Sequence, residues 1–209
     1  MSTSRAEAFS DGVFAIAITL LVLEIHVPEP GSGSLGHELL IQWPSYAAYV
    51  VSFLTIGVIW INHHAMFRRL RVVDHSTLVW NLLLLMSVGV LPFTTALMAA
   101  YLKESDGESL AAAIYSGSFL VMSIFFAATN RHILFSRSGL LEESVDEKTR
   151  REALNRGVVG LLPYLLATVL AFASPYLTLA ICGAVAAFYA LPFASATASV
   201  TANPGAPGD

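Results

Sequence analysis

Charge is nearly absent from six long stretches of this chain and crowded into the segments between them. The apolar stretches run roughly over 9–27, 45–67, 78–102, 110–133, 158–173 and 175–200. Each approaches the ~20 residues that a helix needs to cross a ~30 Å hydrocarbon layer, the fifth being the shortest. They are far longer than the ~10 residues of a membrane strand and do not alternate polar with apolar, so helices are expected. A soluble domain carries roughly 25% charged residues; this chain has 12%, against 56% hydrophobic. It could not cover a water-facing surface. The expected fold class is an all-α membrane protein, with residues 1–200 forming one six-helix unit. Residues 201–209 are rich in Gly and Pro and are read as a disordered tail.

Orientation follows from the basic residues. Arg5, Arg68, Arg69, Arg71, Arg131, Arg137, Lys148, Arg150, Arg151 and Arg156 precede or join stretches on one side, and only Lys103 falls on the other. Cytoplasmic loops carry the excess of Lys and Arg, so both termini are expected in the cytoplasm, with the protein in the cell membrane. Glu24, Glu29, Glu38, Glu104, Asp106 and Glu108 lie on the opposite side. They would draw cations towards a pore mouth, and they are equally what solvated loops carry. Ser174-Pro175 reads as an N-cap followed by proline at the first helical position, joining the last two stretches in a tight hairpin. Residues 142–152 read as a short charged helix or helix extension. A net charge of −4 leaves no basic footprint for nucleic acid. The single cysteine, Cys182, lies in an apolar run and can form neither an intrachain disulfide nor a cysteine metal cluster. Residues 1–8 are polar, and no small-residue cleavage site follows the first apolar run.

Polar residues inside the first three stretches carry most of the functional information. Ser4 and Glu7 fit a capping box, starting a helix near Arg5. Asp11 then sits about two turns in, where an unpaired carboxylate is expensive. Arg5 stands where the helix dipole disfavours a cation, so a specific partner is expected to hold it. Asn62, His63 and His64 lie one to two turns before Arg68, and Asn81 two turns after Asp74. Ser10, Asp11, one of the two histidines and Asn81 are therefore expected at one depth as a hydrogen-bonded layer. Such a layer can bind helices together or relay protons; the first reading is preferred. Adjacent His63 and His64 point ~100° apart and cannot both face one ion, so no metal site is expected.

On a wheel of ~100° per residue, Ile16, Leu20 and Leu23 fall within about 60° of one another, and Asp11 lies about 140° from their middle. Thr19 flanks the stripe, while Ile18 and Val22 lie on the other side. A lone Ile/Leu stripe is ordinarily lipid-facing or core surface. The pattern Arg5-x-x-x-Phe9-Ser10-Asp11 at the start of a first span, however, resembles the signature of the transmembrane protein 175 potassium channels. The resemblance extends to Trp60 and His63 or His64 in the second stretch, and to Asn81 and Leu91-Pro92-Phe93 in the third.

The resemblance implies a homotetramer, as for family members with one six-span unit per chain. Four copies of helix one would line the pore, without the re-entrant carbonyl filter of ordinary potassium channels. The family's constriction then maps onto Ile16, Leu20 and Leu23, with Thr19 as a hydroxyl layer linked to selectivity. Arg5, Ser10, Asp11, His63, His64 and Asn81 would form the supporting polar network. The expected partners are potassium ions, membrane lipid and further copies of the chain; no cofactor and no metal beyond permeating potassium is expected. No catalytic triad, Walker motif, dinucleotide fingerprint or zinc spacing is present, so an enzyme is not expected. The alternative is a proton-coupled small transporter or proton-permeable channel using the Asp/His layer.

Overall fold

The structure, a computed structural model, describes residues 3–31, 33–136, 141 and 147–191. The tail over 201–209, Arg137, and the last part of the sixth apolar stretch lie outside the described residues. Among those described, the chain is all-helical apart from one isolated bridge between Leu70 and Leu141. The long helices are α1 (Thr3–Leu20), α3 (Trp43–Phe67), α4 (His75–Tyr101) and α5 (Glu108–Arg131). Shorter ones are α2 (Leu35–Ile41), α6 (Glu147–Val159), α7 (Leu162–Leu170) and α8 (Pro175–Ala190).

Local chemistry explains the boundaries. The Asp74 carboxylate accepts from the Thr77 backbone N–H at 2.8 Å and starts α4. Gly107 precedes α5 with φ +89°, a left-handed conformation that suits glycine; a Cβ there would also meet the Tyr101 ring at 3.0 Å. Ser174 accepts from the Leu177 N–H at 3.3 Å, and Pro175 opens α8. That is the tight hairpin read from the sequence.

Among the described residues, five helical runs are long and apolar enough to cross a membrane: Thr3–Glu24, Trp43–Phe67, His75–Tyr101, Glu108–Phe135 and Arg150–Leu170. The fifth differs from the expected 158–173 stretch. The charged segment does not stop before it but feeds into it as α6, and the run breaks at Gly160-Leu161 before Pro163 in α7. The sixth apolar stretch holds α8, a shorter apolar helix of 16 residues, about 24 Å at 1.5 Å per residue.

The bundle has a basic end and an acidic end. At the basic end Ala6 of α1, Met66 and Phe67 of α3, Leu70, Val73, Ile133, Leu134 and Leu141 form a small buried cluster. Arg68, Arg69 and Arg71 follow α3 there, and Arg131 closes α5. At the far end Lys103 donates to the Ile41 carbonyl at 2.7 Å and lies 5.7 Å from the Trp43 ring centroid. Between them runs the main core, centred on Phe14, Ile56, Leu84, Val88, Leu91, Tyr115 and Phe119. Inside it Ser52 bonds both the Thr95 hydroxyl (2.8 Å) and the Tyr115 hydroxyl (3.1 Å), joining α3, α4 and α5. In a nonpolar bundle such bonds hold helices where hydrophobicity alone is indifferent.

Candidate functional site

Helix α1 has two faces. Ala6, Ser10, Phe14, Ala17 and Leu21, spaced three or four apart, are buried against the rest of the chain. The opposite face carries Ile16 (60% exposed), Leu20 (42%) and Leu23 (67%). These large aliphatics are left partly uncovered by their own chain. The helix tightens at its end, where Leu21–Glu24 form a 3₁₀ turn. At about 120° per residue this turn brings Leu23 more nearly in line with Leu20 than the α-helical wheel does. The stripe is thereby straightened.

The two residues read as lying off the stripe part company. Ile18 is partly buried against the main core, whereas Val22 is 50% exposed. Thr19 is exposed, and its hydroxyl donates back to the Ile16 carbonyl at 2.9 Å.

A buried polar chain crosses from α3 through α4 to α1. The Asn81 Oδ1 atom is an acceptor, so His63 donates from Nε2, at 2.8 Å. The Asn81 amide donates in turn to Ser10 Oγ at 2.9 Å, and Ser10 donates to the Ala6 carbonyl at 2.9 Å. Each donor has a single available acceptor, so the direction is set along the whole chain. The imidazole is fully buried, 4.3 Å from the Phe67 ring centroid and 5.3 Å from that of Phe14. Its Nδ1 has no hydrogen-bond partner among the described residues.

Asp11 does not join this chain, contrary to the single layer expected, and of the two histidines His63 joins it while His64 does not. Neighbouring helical residues point ~100° apart, so Ser10 and Asp11 cannot enter one crevice, and neither can His63 and His64. Asp11 Oδ1 instead accepts from the Trp60 indole N–H at 2.8 Å. The Glu7 carboxylate stands 2.8 Å from His64 Nδ1. Glu7 and Asp11 are four apart on α1, as are Trp60 and His64 on the antiparallel α3, so the two pairs make a second, partly exposed tier. Sequence reasoning left Glu7 and Trp60 outside the network. The signal was present, since each lies one turn from a residue already singled out. Arg5 is exposed at the start of α1, and among the described residues nothing within the chain pairs with it. The partner expected for it is not found among the described residues.

Long apolar helices tied by buried polar side chains, with apolar faces left uncovered on α1 and on its neighbours, define an α-helical integral membrane protein. The family model for the endosomal/lysosomal potassium channel TMEM175 matches residues 5–92, the segment holding every site residue above. A potassium channel of Streptomyces collinus is 48% identical over 90% of this chain and 91% of its own length. The endosomal/lysosomal proton channel TMEM175 of Homo sapiens is 34% identical over 83% of this chain, which spans 36% of that protein. The crystal structure of a lysosomal potassium-selective channel TMEM175 homologue from Chamaesiphon minutus superposes with a TM-score of 0.80 at 41% identity, over 90% of this chain and 96% of that one. The chain belongs to the TMEM175 family of ion channels.

Proposed function

We propose that this protein is a potassium-permeable channel, passing potassium down its gradient through a pore at the centre of a homotetramer. One observation carries the reading: α1 packs one face into its own subunit and leaves Ile16, Leu20 and Leu23 exposed on the other. One such helix cannot enclose a conduit, whereas four related by a closed rotation can. The stripe becomes successive apolar rings, with Ile16 the narrowest because its β-branch is stiff and close to the backbone. Rings of this kind gate by dewetting and, when open, favour the cation that sheds water more cheaply, potassium over sodium. Thr19 contributes the hydroxyl layer. In this reading the chain has six spans, α8 being the sixth, with both termini in the cytoplasm and the protein in the cell membrane. Asp11 and the chain from His63 to Ser10 hold α1 in position and do not touch ions. Arg5 reaches a neighbouring subunit.

The potassium-channel names of the bacterial relatives support this reading. The proton-channel name of the human relative, with the ionisable tier of Glu7, Asp11 and His64, favours a second one, proton passage or proton-coupled transport. Flux from liposomes holding only the purified protein separates them. A potassium gradient, with a permeant anion such as thiocyanate present to balance charge, should drive rapid efflux, larger than for sodium, without stoichiometric proton movement reported by a pH dye. Coupled proton movement would select the second reading. Mass measurement in nanodiscs should give a tetramer; a monomer that conducts would end the four-helix pore.

A further inference from the structure

A cleft of about 430 Å3 lies on the side of the bundle away from α1, among α3, α5, α8 and the junction of α6 with α7. No residue of α1 or α4 lines it, so it is separate from the stripe and from the polar tiers. Its volume falls in the ~300–1,000 Å3 range of small-molecule sites.

Its lining changes character along its length. One α3 face runs Thr55, Ile59, Asn62, Met66 towards the basic end, and Arg69 follows in the turn after the helix. On α5, which runs parallel to α3, the face ends at Asn130, one residue before Arg131. The opposing α8 wall is apolar, with Val185 and Ala186 buried. Among the described residues that line the cleft, Arg69 is the only charged one and none is a carboxylate. Ile61 and Tyr189, at its border, are both exposed, so the cleft opens sideways from the bundle.

We propose that this cleft binds one anionic phospholipid from the surrounding leaflet. The phosphate lies against Arg69 with the amides of Asn62 and Asn130, and an acyl chain lies along Ile59, Val185 and Ala186. A guanidinium suits a phosphate through paired N–H donors, and basic pockets between helices on the cytoplasmic side recognise anionic headgroups. The apolar wall extending from the cation distinguishes a lipid from a free phosphate, which would leave that wall empty.

The test is native mass spectrometry of the purified, intact assembly titrated with phosphatidylglycerol, phosphatidylcholine or inorganic phosphate. Phosphatidylglycerol should be retained more strongly than phosphatidylcholine. Arg69→Gln should weaken phosphatidylglycerol by about fivefold and leave phosphatidylcholine unchanged, as expected for one cation near the leaflet surface. Arg68→Gln, outside the cleft, should change either lipid less than about twofold, the scatter expected of a surface charge off the site. Asn130→Asp, nearly isosteric and so a safeguard against misfolding, should also weaken phosphatidylglycerol by adding a like charge. Equal retention of the two lipids, or indifference to both Arg69→Gln and Asn130→Asp, would overturn the proposal. So would inorganic phosphate binding in place of the lipid.

Discussion

Helices α1 and α4 are nearly matched in composition and opposite in setting. Their most apolar windows have mean hydropathies of 1.8 and 2.1, yet 28% of the first is buried and 50% of the second. Leu84, Val88, Leu91 and Met98 of α4 are wholly covered by their own chain, while Ile16, Leu20 and Leu23 of α1 are not. In a bilayer hydropathy drives a helix into the hydrocarbon layer but does not choose its neighbours, because lipid tails are as apolar as leucine. The choice falls to polar contacts. Asn81 on α4 receives His63 and holds Ser10, which draws α4 inward and turns one face of α1 towards it. The other face of α1 is left for something outside the chain.

If that face lines the pore, the largest change should come from wetting it. Ile16→Asn should raise single-channel conductance or open probability by at least about tenfold, the equivalent of removing ~1.4 kcal/mol from a barrier, with weaker potassium preference in bi-ionic reversal potentials. Leu20→Ala should act in the same direction less strongly. Unchanged currents in both would place the stripe against lipid.

The α4 side of the comparison breaks through assembly. Asn81→Ala orphans the buried His63 N–H, at about 1–3 kcal/mol, so heated samples should lose their oligomer at lower temperature by size-exclusion chromatography. Conductance of the surviving channels should stay normal. Asp11→Asn should be milder. The amide keeps an oxygen for the Trp60 indole and loses only the charge, so about 1 kcal/mol is expected. A double-mutant cycle with Trp60→Phe should show coupling; additivity would mean that the bond contributes nothing.

Smaller effects sharpen the boundary between the two faces of α1. Thr19→Val preserves shape and removes the hydroxyl, so the potassium-to-sodium permeability ratio should fall with little change in conductance. Ile18→Ala should lower stability alone, since Ile18 packs on the core. Val22→Ala, at a half-exposed position, should alter neither by much. If Ile18→Ala changed conduction as strongly as Leu20→Ala, the face assigned to the pore would be wrong.

Much of the site could be read without coordinates, but unevenly. Ser10, His63 and Asn81 were each placed at one depth by counting turns from the nearest charged boundary. Which histidine entered the chain was open, because His63 and His64 differ only in azimuth, and azimuth has meaning only against a neighbouring helix. Asp11 was assigned the wrong companions for that reason. Its depth matches Ser10, but the adjacent position turns it towards α3, where Trp60 meets it. The bond joining Ser52, Thr95 and Tyr115 left no trace in the sequence, since three hydroxyls on three helices have no shared spacing.

The sequence by itself determined what depends on one residue or on a short window. It placed the apolar runs, the basic side, the Ser174-Pro175 hairpin and the stripe on α1, because transfer free energy, loop charge, capping and helical periodicity are local properties. Only the tertiary structure decided what depends on pairs distant in the chain. It covered more of α4 than of α1, chose His63 over His64, and gave Asp11 to Trp60. It also opened a cleft beside Arg69 on the far side of the bundle. A directional bond a few ångströms long requires two helices to agree in rotation and register, and that agreement is written in no single segment.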